Sequence, residues 1–279
     1  MNIRELSDSF DTLLNSYASQ AIFGEEAAKS EIVLDEYEKS VLLTQAQYMV
    51  VKAYFDRNTN SEGRGFDDST KRQIDFSSLI TTATLQRAAD QSTVFDDRGI
   101  IYIMPLRATA NNAVDVFDYT YDETFHPATQ DGLITDVLFI LNEKLVTSYK
   151  GFIKNYVVVP INYKEYDREM SKPYAQPLKK QAWRLLQNNT QGFDIKSELI
   201  PRWNLKYDEE ILHYKIRYIR RPYPIVLVDL PDGLNIDGFT KAQECELNPI
   251  LHPEVLQKAV ELAAISRGIA RPRENTQQQ

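Results

Sequence analysis

A chain of 279 residues, 43% hydrophobic and 26% charged, can bury the core of one large domain or two modest ones. Its 32 basic and 40 acidic side chains give a formal net charge of −8, which disfavours wholesale electrostatic binding to nucleic acid and leaves only local basic strips for such contacts. The single cysteine, Cys245, excludes an intrachain disulfide.

No apolar run approaches the ~20 residues that span a bilayer. Residues 1–5 carry no signal-peptide core, so the expected place of synthesis is a cytosol, with no membrane partner.

Asn2, with Glu5 three residues later, forms a capping-box pattern that opens a first helix. Ile3, Leu6, Phe10, Leu13, Leu14 and Tyr17 stripe one side of it. A longer helix is expected over 31–57, with Leu34, Val41, Tyr48 and Phe55 recurring every seventh residue and Leu43, Ala46, Val50 and Ala53 on a second apolar face. A helix that is apolar on two faces needs two covers. The first helix supplies one; the C-terminal helix or a neighbouring subunit supplies the other. A further amphipathic segment is expected over 68–82.

From about residue 95 the period changes to that of strands. Strands are expected at 99–104 (closed by Pro105), at 137–141 with Asn142-Glu143 as a turn, and at 155–159 (closed by Pro160). A short charged helix is expected over 163–170. Short extended segments follow at 193–199 and 203–207.

Tyr214, Ile216 and Tyr218 then alternate with Lys215 and Arg217, as in a strand wetted on one side. Ile225-Val226-Leu227-Val228 reads as a second, buried strand. The last helix begins at His252-Pro253, where proline suits the first helical position and Glu254 the helix dipole. The fold class read from this order is α+β: a helical region over 1–92, a β-rich region over 93–230, and a C-terminal helix within 231–279 that packs on the N-terminal helices.

Chemistry-bearing patterns are few. The three histidines, His126, His213 and His252, make no zinc-ligand pair, and no Gly-x-Ser-x-Gly nucleophile pattern occurs. No catalytic, cofactor-binding or metal residue is therefore assigned. Asp115, Asp118, Asp122 and Glu123 are the densest acidic group, and a carboxylate-dependent polysaccharide hydrolase using Asp115 and Asp122 is one alternative. Basic and aromatic residues cluster twice, at Lys179, Lys180, Trp183 and Arg184 and at Lys215, Arg217, Tyr218, Arg220, Arg221 and Tyr223; with Tyr214, the interface candidates among them are Trp183, Arg184, Arg217, Tyr218, Arg220, Arg221 and Tyr223. Such mixtures anchor protein interfaces. A nucleic-acid module using Arg217, Arg220 and Arg221 is a second alternative.

The stretch 216–230, Glu244-Cys245-Glu246-Leu247-Asn248 and the helix from Leu251-His252-Pro253 resemble the C-terminal signature of virion structural proteins of crAss-like bacteriophages. Residues 156–166 and 34–54 fit the same family more loosely. More distantly, the chain is similar to podovirus tail tubular adaptor proteins. The resemblance implies a ring-forming protein of the portal–tail connector, a dodecamer contacting the portal and other tail ring proteins, with genomic DNA passing through its channel. It implies no catalysis and no cofactor. It places the protein in the virion, assembled in the host cytoplasm. The two aromatic–basic clusters are then the expected subunit contacts.

Overall fold

The computed structural model describes residues 1–21, 33–55, 74–88, 94–108, 133–135, 137–172, 177–188, 195–202, 210–231 and 233–267. In chain order the elements are α1 (Ile3–Ala21), α2 (Glu36–Phe55), β1 (Ile80–Arg87), β2 (Ile100–Ile103), β3 (Leu106–Ala108), β4 (Leu133–Thr135), β5 (Val137–Tyr149) and β6 (Phe152–Pro160). There follow α3 (Tyr163–Met170), β7 (Gln181–Asn188), β8 (Ile195–Ile200), β9 (Glu210–Arg220) and α4 (His252–Ser266). The α+β expectation holds. The acidic group at 115–123, His126 and the extended segment at 203–207 lie outside the described residues.

The chain divides into two compact units, one formed by 1–79 with 222–279 and the other by 80–221. In the first, α1 starts as its sequence requires: the Asn2 side chain accepts from Glu5 N at 2.8 Å, and Glu5 Oε2 accepts from Asn2 N at 3.0 Å. Helix α4 contacts both α1 and α2, burying Val255, Leu256, Ala259, Val260 and Ala263. The two-faced helix α2 has a second cover that the sequence did not suggest. It is the segment after the barrel, where Val226, Ile236 and Phe239 pack with Tyr37 and Val41.

That segment corrects the reading of 225–228 as a strand. Its backbone is paired by helix hydroxyls and one isolated bridge rather than by a ladder. Ser40 Oγ accepts from Leu227 N and Thr44 Oγ1 from Ile225 N, both at 3.0 Å. Val226 exchanges backbone hydrogen bonds with Gln243. Ser40 and Thr44 lie four residues apart and so share one side of α2.

The second unit is a closed barrel in the order β1-β2-β8-β7-β6-β5-β9, while β3 and β4 form a separate two-stranded sheet. All barrel neighbours are antiparallel except β6 and β7. A parallel pair needs a crossover rather than a hairpin, and α3 lies in that connection. Tyr102, Met104, Leu145, Tyr156, Leu199 and Tyr214 belong to the interior cluster.

Two expectations change here. The amphipathic segment expected over 68–82 gives way to strand at residue 80, where β1 begins. Asn142-Glu143 is no turn: β5 runs through it, and the hairpin turns at Lys150 (φ 48°) and Gly151 (φ 82°). Two successive left-handed residues are what a tight hairpin turn uses.

Candidate subunit interface on the barrel

Strand β9 sets the geometry. Its period-2 alternation sends Tyr214, Ile216 and Tyr218 into the barrel and leaves Lys215 and Arg217 exposed. Inside, Tyr102 and Tyr214 meet edge to face at 5.1 Å. The Tyr214 hydroxyl donates to Glu143 Oε1 at 2.6 Å, Arg184 Nε donates to Glu143 Oε2 at 2.9 Å, and Ser197 Oγ lies 3.4 Å from the Tyr214 hydroxyl.

These four residues belong to β5, β7, β8 and β9, so one buried polar chain ties four barrel strands. Burial pushes the Glu143 carboxyl up, against the opposing pull of Arg184 and Tyr214. Burial and the adjacent Glu143 carboxylate push the Tyr214 hydroxyl well above its usual range. A buried ion pair is costly to break from one side, because the remaining charge is left uncompensated.

A second buried polar cluster lies beneath α3. The Asp96 carboxylate accepts from Arg98 Nε at 2.9 Å, from Arg98 Nη2 at 2.6 Å, and from the Tyr166 hydroxyl. Glu198 Oε1 accepts from the backbone N–H groups of Phe95 and Asp96, both at 2.9 Å. A Cβ at Gly99 would fall 2.1 Å from Glu198 Oε1 and 2.8 Å from Asp96 O, so this turn requires glycine for close approach. Tyr166, Trp183, Leu185 and Ile200 form the apolar floor.

The eight residues expected at the interface are not brought together. Tyr214 and Tyr218 are fully buried within the barrel. Trp183 is covered in the α3 cluster, and Arg184 is committed to Glu143. These four side chains are buried within the subunit, because strand alternation turns them inward or beneath a helix. Arg217 is exposed, and Arg220, Arg221 and Tyr223 are half-buried. Tyr223 packs edge to face on Phe239 at 5.5 Å, within the helical unit.

What sequence reasoning missed is the outward face of β5. Lys144 is exposed and is the register partner of Lys215 on β9, while Asn142 partners Arg217. On β1 the partners of Lys215 and Arg217 are Thr84 and Thr82. Lys144 also pairs in register with Val157 of β6. The alternation of Lys215 and Arg217 was a usable signal. Lys144 was hidden by reading Asn142-Glu143 as a turn.

The remaining reactive groups are accounted for structurally. His252 Nε2 lies 3.0 Å from Leu247 O, its Nδ1 lies 3.2 Å from the Met1 amine, and burial lowers its pKa. Burial pushes the Cys245 thiol up, away from thiolate chemistry. Among the described residues no group of three or more His, Cys, Asp or Glu could hold a metal, and no helix is long and apolar enough to cross a membrane.

Comparison with known proteins gives this architecture a context. A family model described as phage tail ring protein 3/4 matches residues 1–118 and 129–275. Ring protein 4/5 of Bacteroides phage crAss001 is 39% identical over 268 residues, covering 94% of this chain and 92% of that protein. Ring protein 3 of the same phage is 31% identical over 271 residues, covering 96% of each. The resemblance read from 216–263 is thereby borne out, and it extends over nearly the whole sequence. The chain belongs to the phage tail ring protein 3/4 family.

Proposed function

We propose that this chain is a structural subunit of a tail ring in a crAss-like phage virion and performs no catalysis. The observation that carries this reading is the family match over nearly the full length, with relatives that are themselves named ring proteins. The structure is compatible with it. The buried carboxylates Glu143 and Asp96 are each held by an arginine and a tyrosine rather than aimed at a site.

In its finer form the reading places the ring in the connector between portal and tail, as a dodecamer around the DNA channel, assembled in the host cytoplasm. The N-terminal helices and α4 then form one helical layer of the subunit. A closed ring uses heterologous contacts, so each subunit carries two different adhesive faces. The acidic surplus of the chain suits a channel wall along which DNA slides without adhering.

Native mass spectrometry and electron microscopy of the purified chain, alone and with its portal protein, test this. A closed ring, twelvefold and seated on the portal, is expected. A chain that stays monomeric beside the portal and is absent from purified virions overturns the proposal.

A further inference from the structure

Three cations share an outer face of the barrel. Lys144 and Lys215 are direct cross-strand partners, and Arg217 sits two residues further along β9, opposite Asn142. All three are exposed. Their other register neighbours on this face are Thr82, Thr84 and Val157. Among the described residues none of the three cations forms an ion pair.

Like charges directly opposite one another on a sheet are destabilising. This chain has eight more acidic than basic side chains, yet among the described residues no acid stands at the neighbouring outward register positions. The isolated subunit therefore carries an electrostatic cost that an anionic partner would remove. Apolar surface adjoins the cations on the same hairpin: Val157 is 59% exposed and Ile153 70%. Exposed aliphatics beside unpaired charge fit a protein surface. The acidic surplus of the chain would repel duplex DNA.

We propose that this face, centred on Lys144, Lys215 and Arg217, is one half of the subunit–subunit contact, and that its occupant is an acidic surface of a second copy of this chain. The inference rests on the ring reading above. A heterologous contact joins two different patches of one sequence, so the complementary patch lies on the chain itself, and its surplus of carboxylates supplies it.

The test uses the full chain and Lys144→Glu. This reversal turns the like-charge pair with Lys215 into an opposite-charge pair, so two effects of opposite sign are expected. The isolated subunit melts at a higher temperature than wild type, while subunit association weakens by about tenfold or more. Lys215→Glu gives the same combination. Lys241→Glu, at an exposed loop position elsewhere, changes neither. Raising NaCl from roughly 0.1 to 0.5 M dissociates the wild-type ring, as screening predicts. Lys144→Gln, which removes the charge without reversing it, weakens association to an intermediate degree and keeps the test decisive should the reversal misfold.

Sedimentation and native mass spectrometry read the association, and thermal melting reads the subunit. Rings of equal strength in wild type and both reversals overturn this inference and leave the ring reading standing. A wild-type chain that never associates removes both. Intact rings in the variants together with loss of a wild-type affinity for a duplex DNA probe would assign the face to nucleic acid instead, and also overturn it.

Discussion

Asp96 illustrates how a buried charge can be made to stabilise. Burial would push its carboxyl up, but the Arg98 guanidinium, the Tyr166 hydroxyl and the Arg98 backbone N–H together hold it down at about 2, against an ordinary 3.8. A carboxyl whose folded pKa lies below its unfolded value contributes stability that is fully present above the unfolded value and lost as pH falls towards the folded one. The window therefore runs from about pH 4 to about pH 2, and the contribution is about 2 kcal/mol. Asp96→Asn is expected to lose at least that much at pH 7, because Arg98 stays buried without its counter-charge. The variant should also lack this part of the wild-type acid loss. Denaturant melts of both proteins at pH 7, 4 and 2.5 check the point, and parallel loss across the window would show that Asp96 does not titrate there. In the sequence Asp96-Asp97 offers only an acidic pair, a candidate cation ligand that belongs to no calcium-loop pattern, and Arg98, Tyr166 and Glu198 carry no signal of the cluster. Asp96, Arg98, Tyr166 and Glu198 come from three separate segments, and only packing joins them.

Helix α2 owes its second cover to two hydroxyls, which makes the contact testable by a near-isosteric change. Thr44 Oγ1 accepts from Ile225 N and donates to Ile225 O at 3.2 Å, in a region where both residues are buried. Thr44→Val keeps the shape and strands the Ile225 N–H away from water, which should cost about 2 kcal/mol. Thr44→Ser keeps the hydroxyl and should retain most of that, so urea melts of the pair separate hydrogen bonding from packing. The elements themselves were largely legible. Helix α1 was readable from its capping box, α4 from His252-Pro253, and β9 from its alternation, since each signal is local. Residues 225–228 were misread because a short apolar run shows burial without showing what pairs its backbone. Arg184 was not legible as buried, for a related reason. Its direction depends on strand parity and on Glu143, 41 residues away on another strand. The cationic face was half legible, because β9 displayed Lys215 and Arg217 while the register to Lys144 required the barrel.

At the scale of the whole molecule, the chain enters and leaves the barrel unit at adjacent points. Ile80 opens β1 and is the register partner of Ile219, next to the end of β9. The first and last barrel strands thus seal the barrel against each other, and the segment 80–221 has the topology of a domain inserted into the helical unit. A barrel closed by its own terminal strands leaves no edge along that seam. Its interior cluster, with the Arg184–Glu143–Tyr214 chain, is drawn entirely from within that segment. At about 140 residues it is large enough to bury a sufficient core unaided. The excised segment 80–221 is therefore expected to fold alone, with a β-type circular dichroism spectrum and a cooperative thermal transition. Ending the segment before β9, at residue 209, removes the seal and strips Glu143 of its Tyr214 partner, and should abolish that transition. If the excised 80–221 segment melts without cooperativity while the full chain melts sharply, the barrel depends on the helical unit for its stability and the inserted-domain description fails.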